Sequence, residues 1–171
     1  RAMPNMLVMR PADATEAAEC WQLALEHNSG PVSLVFARQA LPRVREGDSA
    51  DNLCRRGAYV LAEADDVADG GVRRVTLLAT GSEVAIAVQA RRALQAEGVP
   101  TAVVSMPCWE LFEAQDATYR SAVLGPGTVR VAIEAALRFG WARWLGERGA
   151  FVGMNGFGDS GTAEVLYRHF G

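Results

Sequence analysis

Apolar residues along this chain come in short runs, and stretches of helical period or polar character separate them. Residues 6–9 form the first run, closed by Arg10 and Pro11, and predict a buried strand. Residues 11–30 predict a helix. Asp13 is placed to cap it, and Glu16 three residues on completes a capping box. Ala17, Cys20, Trp21, Ala24 and Leu25 then share one face. Asn28, Ser29 and Gly30 stop the helix, and Pro31 leads into VSLVFA, a second strand. Strand, helix, strand is half of a parallel α/β sheet and too little for a domain by itself.

Residues 43–56 are charged and aperiodic and predict a linker or a surface crossing between domains. Residues 57–64 predict a short strand, and residues 65–71 a polar turn. A second α/β unit follows, with apolar strands at 75–80, 101–106, 130–135 and 150–153. A helix starts near Gly81, with Thr80 or Ser82 as cap and Glu83 as the box partner of Thr80. Helical segments lie between residues 109 and 123 and around 141–145, and a last one starts near Thr162, with Asp159 or Ser160 as its cap. The predicted class is α/β: a mixed, mostly parallel sheet with helices on both faces, preceded by a strand–helix–strand fragment of a second α/β domain.

Composition narrows the function classes. The chain has 171 residues, half of them apolar, which suffices for one core plus part of another. A net charge of −3 argues against a broad nucleic-acid footprint. All 17 basic residues are arginine, which reads as compositional bias rather than function. Cys20, Cys54 and Cys108 are odd in number and widely spaced, so a disulfide framework is not expected and a reducing cytoplasm is. His27 and His169 lie far apart and make no metal-ligand pattern. No apolar run reaches membrane-spanning length, and no secretory signal is visible. The opening RAMPN lacks an initiator methionine and reads as the middle of a longer chain.

Within LVFARQALP, residues 34–42, Arg38 follows a buried strand almost at once. Ligands of α/β sheets gather where the chain leaves the carboxyl end of a strand, and a guanidinium there fits a phosphate or carboxylate. The bland alternative pairs Arg38 with an acid across an interface. The strand–glycine–helix junction ATGSEV, residues 79–84, exposes amides that an anion could use, but Glu83 supplies its own negative group there. Glu110 and Glu113 stand at helical spacing near Cys108, and packing around Trp109 and Phe112 explains that stretch without chemistry. Glu134 reads as a buried carboxylate that ties a loop. The glycine-rich residues 154–161 read as a plain turn.

An ordered series of stretches resembles the C-terminal part of the transketolase family. It runs through PNMLVMRPAD at 4–13, FARQALP at 36–42, GAYVL at 57–61, LLATGSEVAIA at 77–87 and VVSMPCWELFEAQ at 103–115. YR at 119–120, VLG at 123–125, EAALRFGW at 134–141 and FGDSG at 157–161 complete it. The resemblance implies that residues 1–42 end the domain that binds the pyrimidine ring of thiamine diphosphate, that residues 43–56 link, and that residues 57–171 form the C-terminal domain. It implies an enzyme that moves a two-carbon ketol unit between sugar phosphates, with thiamine diphosphate and a divalent cation, magnesium or calcium, as a cytoplasmic homodimer. Arg38 matches the arginine of the family's S-R-Q-x-L-P stretch, which contacts the substrate phosphate; Ala37 replaces the usual serine. No catalytic residue, cofactor ligand or metal ligand carries over, since the family's activating glutamate, metal ligands and catalytic histidines match nothing in residues 1–171. The fragment alone is expected to be inactive, with the family pattern continuing past Gly171. Alternatives are a fragment of another thiamine-diphosphate enzyme, such as dihydroxyacetone synthase or a pyruvate dehydrogenase-like enzyme, and a non-catalytic interaction or regulatory α/β domain.

Overall fold

The computed structural model describes residues 1–47, 49–65 and 72–170. The first of its two sheets is a parallel pair, β1 (Leu7–Met9) and β2 (Val32–Leu34), connected through helix α1 (Ala14–Glu26). Asp13 caps α1 as its position predicts, accepting from the Glu16 N–H at 2.9 Å. The Glu16 carboxylate folds back and accepts from the Ala12 N–H at 2.7 Å, one residue before the cap. The second strand is shorter than VSLVFA predicts, and its end is not buried. Val35 and Phe36 lie beyond it, 42% and 47% exposed. Two strands and one helix make too few layers to cover an apolar run on all sides.

The second sheet holds β3 (Tyr59–Ala62), β4 (Val75–Ala79), β5 (Thr101–Ser105), β6 (Val129–Leu137) and β7 (Ala150–Met154). Their order is β3-β5-β4-β6-β7, parallel throughout except that β3 runs antiparallel to β5. This is the predicted mixed, mostly parallel α/β fold. The central strands read VTLLA and TAVVS, continuous apolar runs suited to burial on both faces. Alternate residues feed different layers. Leu77, Ala79, Val103 and Ile133 pack with Val84 and Ala87 of α2 (Glu83–Ala96). Leu78, Val104 and Ala132 pack with Trp109 and Phe112 of α3 (Trp109–Glu113) and Trp144 of α5 (Ala142–Leu145). Val123 and Leu124 of α4 (Ala117–Leu124) close that second core.

The stretch 43–56 is tied down. Asp13 accepts from the Val44 and Arg45 N–H groups at 3.0 and 3.4 Å, and Arg45 pairs with Glu19. A 3-10 turn at Leu53–Arg56 holds buried Cys54, whose N–H donates to Glu19 at 3.0 Å. Most of the turn predicted at residues 65–71 lies outside the described residues.

The strand β1 runs into the carboxyl ends of β4 and β5. The Arg10 N–H donates to the Pro107 carbonyl at 2.8 Å, and the Gly81 N–H donates to the Arg10 carbonyl at 3.1 Å. The predicted capping box at Thr80–Glu83 does not form, because Thr80 Oγ1 donates to the Arg10 carbonyl at 3.4 Å and the Glu83 carboxylate pairs with the Arg10 guanidinium. Ser82 keeps helical backbone angles, no side chain caps α2, and Glu83 turns elsewhere. The last helix, α6 (Ala163–Phe170), follows Thr162, whose carbonyl accepts from the Leu166 N–H at 3.0 Å. Asp159 and Ser160 do not cap it; the Asp159 carboxylate accepts from the neighbouring Ser160 N–H at 2.7 Å.

Candidate functional site

Arg38 lies in the loop after β2, on the carboxyl side of the parallel pair. Its side chain is exposed, and among the described residues nothing pairs with its guanidinium. It borders a groove of about 340 Å³. The other walls come from the second sheet: Ser82 and Glu83 at the start of α2, Glu134 on β6, Val152 on β7 and Tyr167 on α6. Within this chain, no acid among the described residues neutralises Arg38.

A second arginine, Arg10, does pair with acids. Its guanidinium bridges two acids, pairing with Glu134 through Nη1 and with Glu83 through Nη2 at 3.4 Å. Glu83 and Glu134 are only 1% and 2% exposed, so each would be costly without a partner. Every oxygen is engaged. Glu83 Oε1 accepts from the Tyr167 hydroxyl at 2.8 Å and from Ser82 Oγ at 2.6 Å. Glu134 Oε2 accepts from Trp141 Nε1 at 2.7 Å and from Arg1 at 2.8 Å. Burial, together with the Glu83 carboxylate it donates to, pushes the Tyr167 phenol up to about 12. The β6–β7 register jumps just after Glu134, from Glu134↔Gly153 to Leu137↔Met154. Bulges of this kind aim a side chain away from the regular pleat.

The other candidates stay apart from this site. The junction at 79–84 offers no free anion seat, because the Gly81 amide is spent on Arg10 and Glu83 fills the space. Glu110 accepts from the Val8 N–H and the Cys108 thiol, both at 3.3 Å. Glu113 faces outward and pairs with Arg143 at 2.9 Å, so the two acids form no catalytic pair. Cys108 is buried, and that burial pushes its thiol up to about 12, which makes it a poor nucleophile. Glu134 is the buried tying carboxylate that its position predicts. Arg10 and Tyr167 escaped sequence reasoning. The signal for Arg10 was present, since it follows β1 as Arg38 follows β2.

Residues 57–171 match the family described as transketolase-like TK C-terminal domain. The chain belongs to the transketolase family. Residues 1–44 match the transketolase pyrimidine binding domain. A transketolase of Sinorhizobium medicae is 57% identical over 172 residues, matching 100% of this chain and 24% of its own length. The solved transketolase of Leishmania mexicana is 43% identical, with a TM-score of 0.84 over 99% of this chain and 23% of its own. That of Pichia stipitis in complex with sedoheptulose-7-phosphate is 34% identical, with a TM-score of 0.87 over 99% of this chain and 24% of its own. The chain thus spans about a quarter of the length of the curated transketolases it matches. These relatives favour transketolase over dihydroxyacetone synthase and over a stand-alone regulatory domain.

Proposed function

We propose that this chain forms the C-terminal part of an enzyme that transfers a two-carbon ketol unit between sugar phosphates, and that Arg38 binds the substrate phosphate. The carrying observation is the unpaired Arg38 guanidinium beside an open groove at the carboxyl end of β2. Its planar fork donates to two phosphate oxygens in parallel. Gripping the far end of the sugar aligns the reacting end, so the role of Arg38 is binding and orientation. The sedoheptulose-7-phosphate complex of the Pichia stipitis relative supports a sugar-phosphate ligand.

Residues 1–42 close the pyrimidine-binding domain, residues 43–56 link, and residues 57–171 are the C-terminal domain. The pyrimidine-domain match supports thiamine diphosphate, which when bound supplies the electron sink for ketol transfer. Among the described residues no group of three or more His, Cys, Asp or Glu is arranged to hold a metal ion, so these residues do not fit as the seat of a divalent cation. We assign the full-length enzyme a divalent cation, magnesium or calcium, beside thiamine diphosphate. Trp21 stacks on Phe36 at 6.4 Å, and with Leu25 and Leu34 they line a partly open apolar face. Such a face suits cover by the rest of the pyrimidine domain or by a second copy in a cytoplasmic homodimer. Among the described residues no helix is long and apolar enough to cross a membrane.

In the full-length enzyme, Arg38→Ala raises KM for an aldose phosphate about tenfold or more. KM for the same aldose without its phosphate moves little. Equal changes for both acceptors would refute the phosphate role. The 171-residue chain alone is expected to show no ketol transfer in a turnover assay.

A further inference from the structure

Arg10 and Arg38 follow neighbouring parallel strands, and Met9 at the end of β1 is in register with Leu34 at the end of β2. Glu83 and Glu134 line the same groove as Arg38. An unpaired guanidinium lining one groove with two buried carboxylates is attracted to them, since attraction grows as solvent is excluded. Among the described residues Arg38 nevertheless has no partner. The structure shows why: Arg10 bridges both acids, and Tyr167, Ser82, Trp141 and Arg1 take their remaining acceptor capacity. The acids are saturated before Arg38 can reach them.

We propose that Arg10 is a positioning residue: by saturating Glu83 and Glu134 it keeps the Arg38 guanidinium available for the substrate phosphate. This rests on the reading of Arg38 as the phosphate-binding group. Arg10 touches no substrate; it acts through the two carboxylates. A lysine in its place keeps one charge but lacks the two-pronged fork that spans both acids.

The test uses the full-length holoenzyme and the ratio of KM for an aldose phosphate to KM for the same aldose without phosphate. Arg10→Gln frees the acids to capture Arg38, so the ratio rises severalfold, about half a decade to a decade, with little change in kcat. Arg10→Gln combined with Glu83→Gln and Glu134→Gln removes the competing charges and restores the ratio. Arg10→Lys falls between wild type and Arg10→Gln, and serves where Arg10→Gln does not fold. Glu83→Gln with Glu134→Gln in the presence of Arg10 does not raise the ratio. A merely structural role for Arg10 lowers thermal stability and shifts both KM values together; that result, or failure of the triple variant to restore the ratio, overturns the inference. Arg38→Ala separates the two levels. If Arg38→Ala leaves the ratio unchanged, the phosphate reading itself fails. If Arg38→Ala raises the ratio and Arg10→Gln does not, only the role of Arg10 fails.

Discussion

At the scale of single residues, Glu16 shows how a buried acid sets a pH dependence. It is fully buried and accepts from Tyr59 Oη at 2.7 Å, Ser105 Oγ at 2.5 Å and the Ala12 N–H at 2.7 Å. Burial raises its pKa, outweighing these three bonds, and Asp13 nearby adds to the rise. A carboxyl that holds its proton more tightly when folded stabilises the fold fully below the ordinary glutamate value of about 4.3, and loses that contribution as pH climbs through the raised folded value. The stability of wild type relative to Glu16→Gln should therefore fall as pH rises from about 4 and then level off above the raised value. Urea unfolding of both proteins across a pH series checks this, and a difference that grows with pH would contradict it. Glu16→Ala should cost about 3 kcal/mol near pH 4, because it leaves a cavity and strips three donors of their acceptor, and less as pH rises.

At the scale of elements, Gly57 fixes how the crossing segment meets α3. It ends the Leu53–Arg56 turn at φ 78°, a left-handed angle. A Cβ there would collide with the Phe112 backbone nitrogen and the Cys108 carbonyl oxygen, and would lie 2.7 Å from the Leu111 carbonyl carbon. These are backbone atoms and cannot rotate aside. Gly57→Ala should thus destabilise by more than ~2 kcal/mol and loosen the Cys108 N–H bond to the Gly57 carbonyl, which is 3.0 Å long. Thermal unfolding of the variant measures it, and an unchanged Tm would mean that α3 yields freely. Periodicity along the chain made most strands and helices legible, because each depends on neighbours a few residues away. Asp13 was readable as a cap for the same reason. The box at Thr80–Glu83 was misread because both its side chains bond to Arg10 instead, 70 residues before Thr80 and 73 before Glu83. The place of β5 between β3 and β4 is likewise a non-local outcome. Arg38 was readable as a candidate because it follows the carboxyl end of a strand, a purely local feature. Arg10 carried the same local signal, but its acids stand 73 and 124 residues away, and position after a strand alone did not tell that it would pair.

At the scale of the whole molecule, the strand–helix–strand unit depends on the second sheet for its buried polar groups. Glu16 of α1 reaches Tyr59 on β3 and Ser105 on β5, and Arg10 reaches Glu83 and Glu134. Met9 bridges to Cys108, and its buried neighbours Cys20, Cys54 and Tyr59 span both units in one cluster. Separating the units would leave Glu83 and Glu134 without Arg10 and would expose that cluster, while a two-stranded sheet with one helix cannot bury enough surface to stand alone. The 171-residue chain should therefore unfold in a single transition, with far-UV circular dichroism and tryptophan fluorescence coinciding in urea and the calorimetric enthalpy matching the van't Hoff value. Glu134→Ala should lower stability by about 3 kcal/mol, because it strands Arg10 and the Trp141 indole N–H in buried surroundings. Both probes should shift together in that variant. Two separated transitions, or a shift in one probe only, would show that residues 1–44 hold their fold independently of the second sheet, and the charged junction around Arg10 would then join two bodies rather than complete one.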